Sequence, residues 1–300
     1  MNPDSLKIGI APIGWTNDDL PELGGEITFE QCISEMALAG YEGCEVGTKF
    51  PKNPDDLKPY LEIRNLRICN QWFSYKLTTT SIEENTLRFR KHLAFLQAMG
   101  ADIVGGGEVG NSSQSLVDIP VFEGKGMLTS KEAWINFCDG INALGQLASD
   151  QGFRLAFHHH MGSVVQTMEE TDRLMENTDP ENVWLNYDCG HFAFAGEDPV
   201  EALQKYLPRI AHIHLKDVRQ SILDQARQEQ WSFLKSVKEG VFTVPGDPEG
   251  CIDFIGLFAL LRQSDYEGWI VVEAEQDPAK ANPFQYAKLA RTFVRKHLAI

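Results

Sequence analysis

Residues 183–217, VWLNYDCGHFAFAGEDPVEALQKYLPRIAHIHLKD, decide the fold. The stretch opens with a short, mostly apolar run, VWLNYD, and closes with another, IAHIHLKD; between them Pro199 to Tyr206 has the spacing of an amphipathic helix. The two short runs are apolar on consecutive rather than alternate residues, as strands covered on both faces are. Strand, helix and strand in that order make a parallel βα unit. Each run also ends in groups that a buried strand tolerates only with a partner. On the first these are Asp188, with Gly190 and His191 just beyond; on the second, His212, His214 and Lys216.

The same rhythm extends in both directions, with each change of period marked by Gly, Pro, Asn or Asp. Upstream, strands are expected at KIGIAP (Lys7–Pro12), GCEV (Gly43–Val46), LRICNQWF (Leu66–Phe73), ADIVGGGEVG (101–110) and RLAFHHHMG (154–162). Helices are expected at Thr28–Ala39, Ile82–Met99, Ser130–Ser149 and Met168–Asn177, with Thr28 able to cap the first and Gly40 and Gly100 to stop the first two. Downstream, helices through Ser221–Glu239 and Ile252–Gln263 lead to an eighth strand, WIVVEAE (269–275), and the helix Asn282–His297 follows it. Eight strands alternating with helices, and no Gly/Ser- or Pro-rich linker at mid-chain, point to a single (β/α)8 TIM-barrel domain over residues 1–300. An open dinucleotide-binding sheet would carry GxGxxG after its first strand, where this chain has IGWTNDDLPELGG. The Gly105–Gly107 run, with no GK[ST] after it, is read as a tight loop that lets backbone approach the barrel mouth.

The chain has 27 Lys and Arg against 43 Asp and Glu, a formal charge of -16, which repels phosphate backbones and anionic lipid and argues against nucleic-acid binding. No segment is apolar enough to span a bilayer, and the start, MNPDSLKIGIAP, is acidic and polar where a secretory leader is basic and then apolar, so a cytoplasmic protein is expected. Six widely spaced cysteines without a CxxC pair read as reduced thiols. The segment Arg219–Gly240 is longer than one barrel helix needs and is a candidate lid or subunit contact. Nothing in the outer helices selects between a monomer and a homo-oligomer.

In such a barrel, chemistry collects at the C-terminal strand ends. There the fifth strand brings His158, His159 and His160, the sixth Asp188 and His191, the seventh His212, His214 and Lys216, and the eighth Glu273 and Glu275. The two-residue period puts His158 and His160 on one face and His159 on the other. A lone strand histidine is most often a hydrogen-bonded core residue, but imidazoles and carboxylates arriving from four adjacent strands are the donor set of Mn²⁺, Co²⁺, Fe²⁺ or Zn²⁺. Two of each around one divalent ion leave the site formally neutral and able to polarise a carbonyl, which suits polyol or keto-sugar chemistry. The early strand ends add Trp15, Asn17, Glu45, Trp72, Phe73 and Glu108, flat apolar and hydrogen-bonding groups suited to a polyhydroxylated ring.

DCGH (188–191), HIHLKDV (212–218) and VVEAEQDP (271–278) resemble the metal-binding strand ends of the xylose isomerase-like barrels. With IGIAPIGWTNDD (8–19), AFHHHMGSVVQT (156–167), FTVPGDPEGCIDF (242–254) and VVEAEQDPAKANP (271–283), the resemblance narrows to the inosose dehydratase family and spans nearly the whole chain. It implies loss of water from 2-keto-myo-inositol (scyllo-inosose), a cyclic keto-polyol of inositol catabolism, to give a trihydroxycyclohexane-1,2-dione. Implied cofactors are Mn²⁺ or Co²⁺ and glutathione, the latter without a readable binding signature. Of the superfamily's ligand set, Asp188, His214 and Glu273 match, whereas the fifth strand offers His158, or in competition His160, where a glutamate is usual. His191 matches a histidine that faces substrate or a second metal. His160, His191, Lys216 and Glu275 are the acid–base candidates, with base and acid unassigned. A sugar isomerase or epimerase on the same barrel is the nearest alternative, since it shares the enolisation but returns the proton.

Overall fold

The computed structural model describes residues 6–300, so the first five residues of the N-terminal stretch read above for a leader lie outside it. The strands are β1 (Leu6–Ile10), β2 (Gly43–Glu45), β3 (Arg67–Asn70), β4 (Phe73–Tyr75), β5 (Ile103–Glu108), β6 (Arg154–His158), β7 (Val183–Asp188), β8 (Ile210–Leu215), β9 (Asp217–Val218), β10 (Phe242–Thr243) and β11 (Gly268–Val272). Between and after them run helices α1 (Phe29–Leu38), α2 (Pro54–Glu62), α3 (Ile82–Ala98), α4 (Lys131–Ser149), α5 (Met168–Glu176), α6 (Cys189–Ala195), α7 (Pro199–Tyr206), α8 (Gln220–Gln228), α9 (Phe233–Lys238), α10 (Phe254–Gln263) and α11 (Pro283–Leu298). Side-chain oxygens cap most helix starts: Thr28 accepts from Gln31 N–H, Ser81 from Glu84 N–H, and Thr167 and Glu170 form a reciprocal capping box on α5.

The main sheet runs β3-β2-β1-β11-β8-β7-β6-β5-β4, every neighbouring pair parallel. Its two ends are consecutive in the chain: β3 lies within the strand read as Leu66–Phe73 and β4 starts at that strand's last residue and runs on to Tyr75, so the chain itself closes the ring through Gln71 and Trp72. This is the expected eight-stranded TIM barrel with its third strand broken in two.

The glycine run occupies that seam as part of a strand, which corrects the reading as a loop. Gly105 N–H donates to Asn70 Oδ1 (2.7 Å), and a Cβ on Gly106 would stand 1.9 Å from the Phe73 carbonyl oxygen. Close passage of the Phe73 backbone accounts for Gly106, and the Asn70 amide and the Trp72 ring crowd Gly105 and Gly107.

Other departures lie at the C-terminal mouth. α6 begins directly at the end of β7 and α2 fills the second unit, where the sequence singled out no helix. β11 ends at Val272 and β6 at His158, so Glu273, Glu275 and His160 stand on the loops beyond their strands rather than in them. The segment Arg219–Gly240 forms α8 and α9, enclosed by the antiparallel β9–β10 ribbon. Leu223, Phe233, Leu234, Val237 and Phe242 of this excursion pack with Leu20, Val121, Met161 and Phe194 in a second apolar cluster, separate from the main core. Among the described residues no helix is long and apolar enough to cross a membrane, and all six cysteines are free thiols.

Candidate active site

Ladder register decides which side chains meet. Asp188 is the direct partner of His214 across β7 and β8, His158 pairs with Asn186 across β6 and β7, and His214 pairs with Val271 across β8 and β11. His158 Nε2 therefore lies 3.4 Å and His214 Nδ1 3.6 Å from Asp188 Oδ2, all three side chains buried. His159, on the other face of β6, accepts from Asp188 N–H with Nε2 (3.2 Å) and stacks on Phe192, outside the site.

The two oxygens of Asp188 have separate tasks. Oδ1 accepts from Gly190 N–H (2.8 Å) and His191 N–H (3.0 Å), capping α6 and fixing where His191 stands. Oδ2 faces His158, His214 and the Lys216 ammonium, the last at 3.3 Å. Burial alone would raise the Asp188 carboxyl, but Lys216 and His191 outweigh it and hold it well below the usual range.

Glu273 joins this trio through His214 rather than as one of its three converging atoms. Its Oε2 is 2.9 Å from His214 Nδ1 and its Oε1 2.5 Å from Lys216 Nζ. Behind His214, Glu45 Oε1 accepts from Nε2 of His212 (3.0 Å) and of His214 (3.1 Å), and Asn70 Nδ2 donates to the same oxygen (2.9 Å). A carboxylate on Nε2 turns Nδ1 of His214 toward Asp188 and Glu273, as carboxylates behind metal-bound histidines do. Burial would lower the His214 pKa, but Glu273 and Glu45 raise it well above its ordinary value.

A divalent cation fits what these residues lack. Both ring nitrogens of His158, Nδ1 of His214 and Oδ2 of Asp188 are buried and make no well-aligned hydrogen bond, His214 Nδ1 and Asp188 Oδ2 being met from outside the trio by the charged groups of Glu273 and Lys216. One donor atom from each residue lies within 4.8 Å of the others. Burial lowers the His158 pKa, against the pull of Asp188, so its imidazole is neutral and keeps a lone pair to offer. Buried polar atoms in this number are ordinarily satisfied. Imidazole with carboxylate is the donor set of a transition metal or zinc rather than of Mg²⁺ or Ca²⁺.

Beside this trio lies a second group, His160, His191 and Glu275, also buried and within 4.8 Å of one another. The His160 and His191 rings are 4.0 Å apart, and His160 Nδ1 donates to the Met161 carbonyl (2.8 Å). Lys216 Nζ is 2.8 Å from Glu275 Oε2 and 3.1 Å from His191 Nε2. Burial pushes Glu275 up to about 7 against the pull of Lys216, and pushes His160 down to about 3 with help from His158 and Lys216. This corner thus holds a carboxyl group poised near neutrality beside uncharged imidazoles.

The early-strand residues divide. Trp72 packs its edge on His158 and His160 at centroid distances of 5.3 and 6.0 Å and forms a wall of the site, whereas Phe73 is core, ringed by Tyr75 and Phe89. Trp15 is core as well: its indole Nε1–H donates to Glu35 Oε2 (2.6 Å) on α1. Asn17 Oδ1 accepts from the N–H groups of Asp19 and Leu20 and shapes its own loop. Glu108, expected at the substrate, accepts from Leu77 N–H, Thr78 Oγ1–H and Gly110 N–H, so both its oxygens clip neighbouring loops together. Glu45, expected there too, serves the two histidines of β8.

The walls missed in the sequence are Phe233 and Phe242. Phe233 lies against the His160 and His191 rings at 5.0 and 5.9 Å, and Phe242 is 4.8 Å from Lys216 Nζ. The sequence signals near them were the excess length of Arg219–Gly240, which contains Phe233, and the stretch FTVPGDPEGCIDF, which opens on Phe242.

Residues 33–297 match the family model described as the xylose isomerase-like TIM barrel. The inosose dehydratases of Bacillus cereus (strain AH820) and Geobacillus thermodenitrificans (strain NG80-2) are each 54% identical over 293 residues, covering 98% of this chain and 97% of theirs. Among solved structures, the IOLI protein with a bound zinc atom superposes with a TM-score of 0.71 at 16% identity, covering 98% of both chains. A probable 3-DHS dehydratase, AsbF from Bacillus anthracis, gives 0.70 at 16% identity, covering 96% of this chain and 98% of its own. At such identities the two structures speak for the fold alone; the sequence relatives go further, and the chain belongs to the inosose dehydratase family, enzymes of the hydro-lyase class on a xylose isomerase-like TIM barrel.

Proposed function

We propose that this chain is a cytoplasmic, metal-dependent dehydratase of myo-inositol catabolism that removes water from 2-keto-myo-inositol (scyllo-inosose) to give a trihydroxycyclohexane-1,2-dione. The observation that carries the metal is the buried convergence of donor atoms from His158, Asp188 and His214, with Glu273 beside it. The substrate is supported by the relatives named inosose dehydratase at 54% identity. His158, Asp188, His214 and Glu273 would hold Mn²⁺ or Co²⁺. When bound, the ion supplies electrostatic stabilisation for negative charge growing on a carbonyl oxygen, which makes the proton on the neighbouring carbon removable.

The chain's own groups do the rest. Glu275 Oε2 takes that proton, since a carboxyl group held near 7 both accepts and releases one at neutral pH. Lys216 Nζ, between Glu275 and His191, keeps the carboxylate aimed and links it to the imidazole pair. The proton that Glu275 takes up is returned to the departing hydroxyl, which leaves as water; Lys216 Nζ, in contact with both Glu275 and His191, connects the two ends of that transfer, and the uncharged His191 and His160 rings line it. Trp72 and Phe233 give the ring flat apolar walls, and the α8–α9 excursion keeps water from the enolised intermediate.

Purified protein loaded with Mn²⁺ or Co²⁺, with and without glutathione, is expected to convert scyllo-inosose to a product with the ultraviolet absorbance of an enolised dione. Interconversion of ketohexoses with scyllo-inosose left unchanged would replace the proposal with a sugar isomerase or epimerase.

A further inference from the structure

We infer that Lys216 limits this site to one divalent cation, its ammonium filling the place where a second would bind. The inference rests on the metal reading proposed above. Besides His158–Asp188–His214 there are three other trios of converging donors: Glu45–His212–His214, whose carboxylate oxygen and facing imidazole nitrogens are taken up by hydrogen bonds with one another, and two at the mouth, His160–His191–Glu275 and Asp188–His191–Glu273. By ligand type each suits the same ions as the first.

Lys216 Nζ stands among the donor atoms of the last two. It is 2.5 Å from Glu273 Oε1, 2.8 Å from Glu275 Oε2, 3.1 Å from His191 Nε2 and 3.3 Å from Asp188 Oδ2. The ammonium thus has three carboxyl groups and one imidazole nitrogen within 3.3 Å. A metal ion on the same atoms would need them at about 2.0–2.2 Å, a space the nitrogen already occupies.

Nor has the side chain room to leave. Lys216 is fully buried, and its stem runs so close over Gly190 that a Cβ there would come within 2.6–2.8 Å of Lys216 Cβ, Cγ and Cδ. The Phe242 ring closes the other side. Among the described residues Lys216 touches the first trio only at Asp188 Oδ2 and makes no hydrogen bond or ion pair with His158 or His214, so two of that trio's three donors are clear of the ammonium. By contrast it contacts two residues of His160–His191–Glu275 and all three of Asp188–His191–Glu273.

Charge points the same way. Lys216 offsets one charge of the group Asp188, Glu273 and Glu275; without it the three carboxyl groups face a single dication in a buried site, which favours taking up another.

The test is a count of ions. Chelator-stripped protein is dialysed against Mn²⁺ or Co²⁺ and the bound metal measured by mass spectrometry, for the wild type and for Lys216→Met, which keeps the stem and removes the charge. Lys216→Gln, which also removes the charge, is the second variant should the first fail to fold, with circular dichroism as the check. The expected result is one equivalent in the wild type and two in either folded variant. Two equivalents in the wild type, which needs no variant, or one in a folded variant overturns the inference. A wild type that binds none overturns the metal site itself, a distinguishable outcome.

Discussion

The divided carboxylate of Asp188 makes a prediction that separates stability from chemistry. Asp188→Asn keeps an oxygen able to accept from Gly190 and His191 N–H and so keeps the cap on α6; Asp188→Ala loses it. Asn and Asp cap about equally well, and loss of a cap costs about 1 kcal/mol, so the alanine variant should be the less stable of the two by about that amount. With an unfolding entropy of about 2.1 cal/mol/K per residue over 300 residues, that is a melting temperature lower by about 2 °C. Both variants also lose the charge facing His158, His214 and Lys216. That cost is common to both, and it stays below the roughly 3–5 kcal/mol of a broken buried pair because Lys216 keeps Glu273 and Glu275. For turnover the two should be equally poor. Removing a residue behind a metal ligand already costs roughly 10–100-fold, so replacing a ligand should cost more than about 100-fold in dehydration rate and in metal affinity. Scanning calorimetry gives the first comparison; the ultraviolet assay with chelator competition gives the second. Undiminished turnover in Asp188→Asn would refute the metal role of Oδ2, and identical melting of the two variants would refute the cap role of Oδ1.

Three further outcomes follow from separate parts of the molecule. Glu45→Gln removes the charge shared by His212 and His214 while leaving an acceptor in place, and should weaken Mn²⁺ or Co²⁺ binding about 10–100-fold with the fold retained; an unchanged dissociation constant would show that Glu45 does not orient His214. Gly106→Ala should cost about 3 kcal/mol or more, or abolish soluble expression, because its Cβ meets the Phe73 carbonyl oxygen at 1.9 Å, whereas Gly100→Ala, with open space but φ +74°, should cost only about 1 kcal/mol in urea titration. His92, pushed down to about 4 by burial, binds its proton less readily folded than unfolded, so its contribution is complete above about pH 6.5 and lost as the pH falls through 4. That loss amounts to about 3 kcal/mol, and His92→Gln should flatten the urea midpoint over this window; a profile as steep as wild type would contradict it.

The barrel was legible because its signal repeats. Each βα unit alone is ambiguous, but eight in order exclude an open sheet, and the two-residue period by itself separates His158 from His159. What stayed hidden was local and short. CGHFAFA, which becomes α6, is under two turns of mostly apolar residues and shows no amphipathic period; its start is fixed by the Asp188 carboxylate, whose capping task a sequence does not distinguish from metal binding. The α8–α9 break, at Trp231 and Ser232 after Gln230 in the left-handed region (φ 55°), carries no glycine or proline to mark it.

Polar residues of one type also proved to differ by partner. Glu45, Glu108, Glu273 and Glu275 all stand near the C-terminal mouth, and composition treats them alike. One binds imidazoles from beneath, one is consumed by backbone and a threonine, and two share an ammonium. The difference is set by where the ring closes. Because β3 and β4 part at Gln71–Trp72, Asn70 is free to bridge Gly105 and Glu45, and Glu45 is thereby held under His214 rather than opened to the mouth. The broken third strand, the feature least visible in the sequence, is thus what places the carboxylate behind the central histidine. A change at Asn70 should then act on the site through Glu45, with no contact of its own to the substrate.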